Sequence, residues 1–146
     1  KLAEAGAKVA FVYHSNQAAA DGLVQELTGR GLEVWAIQAD ASKKDEADRV
    51  VQGVLDKWSK LDILVNNAGI IRDGLILTMS AEQWQAVIDN NLTSVFNFCQ
   101  AVSRPMMSGR FGRIVNMSSV SAEFPNAGQA NYAASKAGLI GFSRCM

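Results

Sequence analysis

The chain has 146 residues, 49% of them hydrophobic, with 14 basic side chains against 14 acidic ones. That is apolar material for a single domain core over residues 1–146. The charge balance removes any global electrostatic case for nucleic acid or an anionic membrane, and no apolar run approaches the roughly 18 residues of a membrane span.

Residues 1–8 read as the tail of a helix stopped by Gly6. Residues 8–13 are a strand. A helix over residues 17–27 carries Ala20, Leu23, Val24 and Leu27 on one face, and Gly29 and Gly31 close it. Residues 33–37 form the next strand. Ser42 is expected to cap the following helix, with Asp45 as an acidic variant of the capping box. The apolar stripe of that helix is Ala47, Val50, Val51, Val54, Leu55 and Trp58.

Residues 61–65 are a third strand. Ser80 and Gln83 make a capping box for a long helix through Trp84, Val87, Ile88, Leu92, Val95, Phe96 and Val102, with Pro105 at its far end. Residues 113–117 are a fourth strand, and a last helix runs from near Gln129 past Met146. Strands alternating with helices predict an α/β fold, a Rossmann-like doubly wound parallel sheet with helices on both faces. Cys99 and Cys145 form no C-x-x-C motif. Both fall in apolar helical stretches, so both are expected to be buried thiols in a reducing compartment.

In open parallel sheets the ligand lies at the carboxyl ends of the strands. Tyr13 and His14 follow the first strand, and Asp40 and Ala41 the second. Asn66, Asn67, Ala68 and Gly69 follow the third, and Ser118 and Ser119 the fourth. Tyr132 comes thirteen residues after Ser119, and Lys136 four residues after Tyr132. Four residues is just over one helical turn, so Tyr132 and Lys136 share a face. An ammonium beside a phenol favours the phenolate, which suits proton transfer to or from an oxygen near neutral pH. Each feature also has a plain reading. Tyr132 and Lys136 would be a surface helix pair, Asn66 and Asn67 a turn, Asn91 a solvent-facing helix residue, Ser118 and Ser119 a capping pair, Asp40 a helix cap and His14 a solvated turn residue. No His, Cys and carboxylate cluster suggests a metal.

Taken in order, N-N-A-G at residues 66–69, Asn91, Ser119 and Y-x-x-x-K at residues 132–136 resemble the short-chain dehydrogenase/reductases. The segments at residues 71–75, 112–116 and 128–134 are similar to those of the 3-oxoacyl-[acyl-carrier-protein] reductases of bacterial fatty-acid synthesis. The resemblance implies a catalytic set of Asn91, Ser119, Tyr132 and Lys136. Tyr132 would be the general acid and Ser119 would orient the carbonyl. Lys136 would bind the nicotinamide ribose and lower the Tyr132 pKa, and Asn91 would hold a relay water. It also implies a nucleotide site with His14, Asp40, Ala41, Asn67, Ala68 and Gly69, to which Tyr132 and Lys136 contribute.

Cofactor preference is expected from the end of the first strand. An acid there would accept from the 2′-hydroxyl of NAD. The position holds Tyr13, followed by His14, Ser15 and Asn16, so NADP is expected over NAD, although the turn has no Arg or Lys. A carrier-protein substrate is acidic, and Arg104, Arg110 and Arg113 are the candidate basic rim, with Arg110 at the family's carrier-docking position. The resemblance further implies a cytoplasmic homotetramer with no membrane or nucleic-acid partner. It implies a glycine-rich phosphate loop with its strand before Lys1, and more strands after Met146, so the chain is expected to be an interior piece of a longer reductase. Two alternatives stay open. One is a sibling such as an acetoacetyl-CoA reductase or a sugar or alcohol dehydrogenase. The other is a nucleotide-binding regulator without chemistry, for which a proton donor would have no use.

Overall fold

Four strands and five helices alternate along the chain in the computed structural model, which describes residues 1–146. They are β1 (Val9–Tyr13), α1 (Gln17–Gly29), β2 (Val34–Gln38), α2 (Lys44–Trp58), β3 (Ile63–Asn66), α3 (Ala81–Ile88), α4 (Ser94–Ser108), β4 (Arg113–Asn116) and α5 (Ala130–Arg144). A wide turn, Asp89–Thr93, joins α3 to α4, and a short 3-10 turn, Val120–Ala122, precedes α5.

The strands are parallel and sort into two pairs. Val9 lies opposite Val34 in the first, and Ile63 opposite Arg113 in the second. The pairs are not bonded to each other. Between them lies a cleft of about 710 Å³, walled by Ala10, Phe11 and Val12 of β1 and by Ile63, Leu64 and Val65 of β3. The cleft is therefore flanked by two strand edges that do not pair with each other.

The core forms where α2 and α4 cover the sheet. Val50, Val51 and Val54 of α2 meet Phe98, Val102 and Met106 of α4 over Ile37 and Ala39. Each such side chain contributes about 1.5–3 kcal/mol when fully buried. A second cluster joins Val95 and Cys99 of α4 to Leu139 of α5, over Leu64 and Ile114. The alternate strand residues Ile63, Val65 and Val115 remain half exposed on the other face.

Several local readings hold. Ser80 and Gln83 make both bonds of the capping box. Gly6 (φ +91) ends the first turn, with Ala7 N–H bonded to Leu2 O and Gly6 N–H to Ala3 O, the pairing of a helix C-terminus. Other readings need correction. Ser42 is not the cap of α2. Its hydroxyl and amide both donate to Asp40 Oδ1, and the helix starts after Lys43, which caps with no side-chain bond. The long helix continues past Pro105 to Ser108, although Pro105 has no amide to bond the carbonyl four residues before it. Along α1 only Ala20 is buried, and Leu23 is exposed. Cys145, expected to be buried, is exposed, while Cys99 is buried.

Candidate active site

Helix α5 carries the chemistry and is pinned from several sides. Ser118 Oγ donates to Lys136 O at 2.8 Å. Asn116 Nδ2 donates to Ser143 Oγ at 2.8 Å, while Asn116 Oδ1 accepts from Asn66 Nδ2 at 2.8 Å. This links α5 to β4, and β4 to β3, through side chains as well as ladder bonds. The thiol of Cys99 lies beneath, 3.4 Å from Asn66 Nδ2, and burial pushes its pKa up.

Tyr132 and Lys136 lie on one face of α5, with the ammonium 5.8 Å from the centre of the phenol ring. Lys136 is only 5% exposed, and its Nζ donates to Met117 O at 2.7 Å. Burial lowers its pKa from the usual 10.5, because the cation is withdrawn from water. Tyr132 is half-buried.

Asn91 approaches Lys136 from the other side. It lies in the wide turn, where Ser94 N–H reaches back to Asp89 O instead of the usual carbonyl one residue nearer. Turns of this kind recur at functional sites because they re-aim one side chain out of helical phase. The Asn91 carboxamide is fully buried, with both N–H donors and one lone pair of its oxygen used. Its Oδ1 accepts from Ile70 N at 2.7 Å, and its Nδ2 donates to Ile70 O at 3.0 Å and to Ser135 Oγ at 3.2 Å. Ser135 in turn donates to Tyr132 O at 2.7 Å.

The two side chains converge on Gly69. A Cβ at that position would stand 3.0 Å from Asn91 Oδ1 and 3.8 Å from Lys136 Nζ. A side chain there would press on the Asn91 carboxamide and stand in contact with the ammonium, so glycine leaves this space open. The adjoining Asn67 and Ala68 are exposed beside it, and both also border the cleft.

The two serines separate cleanly. The Ser118 proton is committed to α5. Ser119 caps the short turn by accepting from Ser121 N at 3.1 Å, and its own proton stays free to donate. That turn packs against α5.

The nucleotide candidates lie at the ends of β1 and β2. His14 is exposed, and its carbonyl accepts from Gln38 Nε2 at 3.1 Å. The Ser42 hydroxyl holds the Asp40 carboxyl below its usual range against the opposing effect of burial, with help from the Ser42 amide and from the nearby charges of His14 and Lys43. Ala41 lines the cleft.

The chain matches the short chain dehydrogenase family over residues 1–146. It belongs to that family. Among its relatives in this family, a Synechocystis 3-oxoacyl-[acyl-carrier-protein] reductase is 50% identical over 143 residues, covering 98% of this chain and 58% of its own length. A Chlamydia muridarum protein of that name is 45% identical over 146 residues, and a Staphylococcus epidermidis one is 42% identical over 144. The chain thus spans 58% to 59% of the length of these relatives.

Two of the three candidate rim arginines lie at the opposite end of β4 from the serines. Arg110 (φ +52) lies in the turn entering β4 and Arg113 is the first residue of the strand, whereas Ser118 and Ser119 follow its other end. Four strand residues separate the two ends, about 13 Å at the usual rise. Arg113 sits over the Phe111 ring at 5.1 Å and donates to Gly112 O. Sequence reasoning also passed over Asn131 and Ser135, which are wholly buried beside Tyr132. Two polar residues at i, i+4 on an apolar helix were the available signal.

Proposed function

We propose that this sequence belongs to an NADPH-dependent reductase of 3-oxoacyl thioesters, forming the 3-hydroxyacyl thioester. The observation that carries the reading is the meeting of Asn91 Oδ1 and Lys136 Nζ at Gly69, with the Tyr132 ring 5.8 Å from the ammonium. Relatives named as 3-oxoacyl-[acyl-carrier-protein] reductases at 42–50% identity support the substrate class.

Gly69 tests the fit of a nicotinamide cofactor, because its bare backbone leaves room where a side chain would fill the space beside Lys136. The nicotinamide, when bound, supplies the hydride. Tyr132 gives its phenolic proton to the carbonyl oxygen as charge develops there. Ser119 donates to the same oxygen, and its stabilisation is largest in the transition state. Lys136 binds the nicotinamide ribose and favours the phenolate, so the lost proton is replaced through its ammonium. Asn91 fixes the backbone at Ile70 beside that ammonium and holds a relay water there. Asn67, Ala68 and Gly69 pack along the ribose, and Asp40 and Ala41 border the adenine. His14 lies at the 2′-phosphate, in a turn with no acid to repel it, which favours NADP over NAD. The assembled enzyme is a cytoplasmic homotetramer acting on carrier-protein-linked substrates.

The test is NADPH oxidation by a full-length chain carrying this sequence, with acetoacetyl groups on carrier protein and on coenzyme A. Turnover with higher kcat/KM for the carrier-linked substrate is expected. Failure with every 3-oxoacyl thioester, alongside turnover of a simple alcohol or sugar, would overturn the assignment.

A further inference from the structure

Asn131 precedes Tyr132 by one residue, and no part of it reaches solvent. Its Oδ1 accepts from Tyr132 N at 2.8 Å. Its Nδ2 donates to Arg72 O at 2.9 Å and, more weakly, to Gln83 O at 3.4 Å. A primary amide has two donors and an acceptor, and all three are used. Asparagine is a poor choice inside a helix on propensity alone. Here it satisfies one of the free amides of the first turn of α5. It also ties that turn to two other segments.

Those segments matter to the site. Arg72 lies two residues beyond Ile70, whose amide and carbonyl are both held by Asn91. The stretch after β3 is thus held at both ends by buried carboxamides, one from the wide turn and one from α5. Gln83 is the residue that closes the capping box of α3. Gly74 N–H adds a bond to Gly128 O at 2.9 Å, and Gly128 (φ +88) takes a conformation side chains disfavour.

We propose that Asn131 is a positioning residue for the reaction. It sets the separation between the turn carrying Tyr132 and the backbone after β3, and so aims the phenol at the reacting oxygen. The proposal rests on the reductase reading above. A misplacement of about 1 Å can cost up to about a hundredfold in rate.

The experiment compares Asn131→Ala and Asn131→Asp with wild type in a full-length chain, reading kcat, NADPH affinity and folded fraction. Both variants should lose about ten- to a hundredfold in kcat while NADPH affinity stays within about twofold. Asn131→Asp keeps the acceptor for the Tyr132 amide but turns a bare oxygen towards Arg72 O. Protonating that carboxyl restores a donor. Its kcat relative to wild type should therefore recover as pH falls, a response that Asn131→Ala lacks. If wild type is inactive, the reductase reading fails and this proposal with it. If wild type is active and either variant keeps kcat within about twofold, or neither variant folds, or the aspartate variant shows no recovery in acid, the positioning role is wrong.

Discussion

Asn91→Ala should unfold this protein more readily than its size suggests. The substitution removes three hydrogen bonds, of 2.7, 3.0 and 3.2 Å, from a wholly buried carboxamide. A neutral bond contributes about 1 kcal/mol net, and a stranded buried partner costs about 1–3 kcal/mol unless water replaces the lost group. Both backbone groups of Ile70 would be stranded, and the vacated space admits a water. A loss of about 2–4 kcal/mol follows. In a chain as long as the relatives, that lowers the melting midpoint by roughly 5–15 °C. The assay is denaturant unfolding of a full-length chain, with Ser135→Ala as comparator. Ser135 gives its proton to Tyr132 O and accepts one bond from Asn91. Its loss should cost about 1–2 kcal/mol. If Asn91→Ala costs less than about 1 kcal/mol, the wide turn is not held by this side chain and the argument fails.

Three further outcomes are expected. Tyr13→Asp should shift kcat/KM from NADPH towards NADH, because a carboxylate repels the 2′-phosphate and accepts from a 2′-hydroxyl; wild type that already prefers NADH would show this turn misread. Burial lowers the Lys136 pKa below 10.5, so the unfolded chain binds more protons in that window and stability rises as pH climbs towards 10.5. Lys136→Met should abolish turnover while leaving the melting midpoint equal or higher and flattening that alkaline rise; a clear drop in the midpoint would mean that the bond to Met117 O outweighs burial of the charge. Residues 1–146 expressed alone should aggregate and bind NADPH poorly, since the β1 and β3 edges face an apolar cleft of about 710 Å³; cooperative unfolding with micromolar NADPH affinity would contradict this.

Much of this arrangement is legible in the residues because each rests on local chemistry. The Ser80 and Gln83 box, the strands around Val9, Val34, Ile63 and Arg113, and the i, i+4 placing of Tyr132 and Lys136 all follow from patterns a few residues long. What escaped depends on competing local partners and on distant contacts. The wide turn at Asp89–Thr93 inserts one residue into an otherwise regular helix, and apolar periodicity hardly registers it. Ser42 has the composition of a cap, but Asp40, two residues earlier, captures its hydroxyl. Asn131 looks like an ordinary polar helix residue until Arg72, 59 positions away, is folded against it. Arg110, just before β4, and Arg113, at its start, are near Ser119 in sequence, yet the length of the strand separates them in space.

The account turns on Tyr132 as the proton donor, and Tyr132→Phe tests it most directly. The change removes one oxygen and leaves the ring, its packing and the bond of Lys136 to Met117 O in place. In a full-length chain, NADPH affinity should stay near wild type while reduction of an acetoacetyl thioester falls by about a hundredfold to ten-thousandfold. Turnover close to wild type, with NADPH still bound, would remove Tyr132 from the chemistry and the account with it.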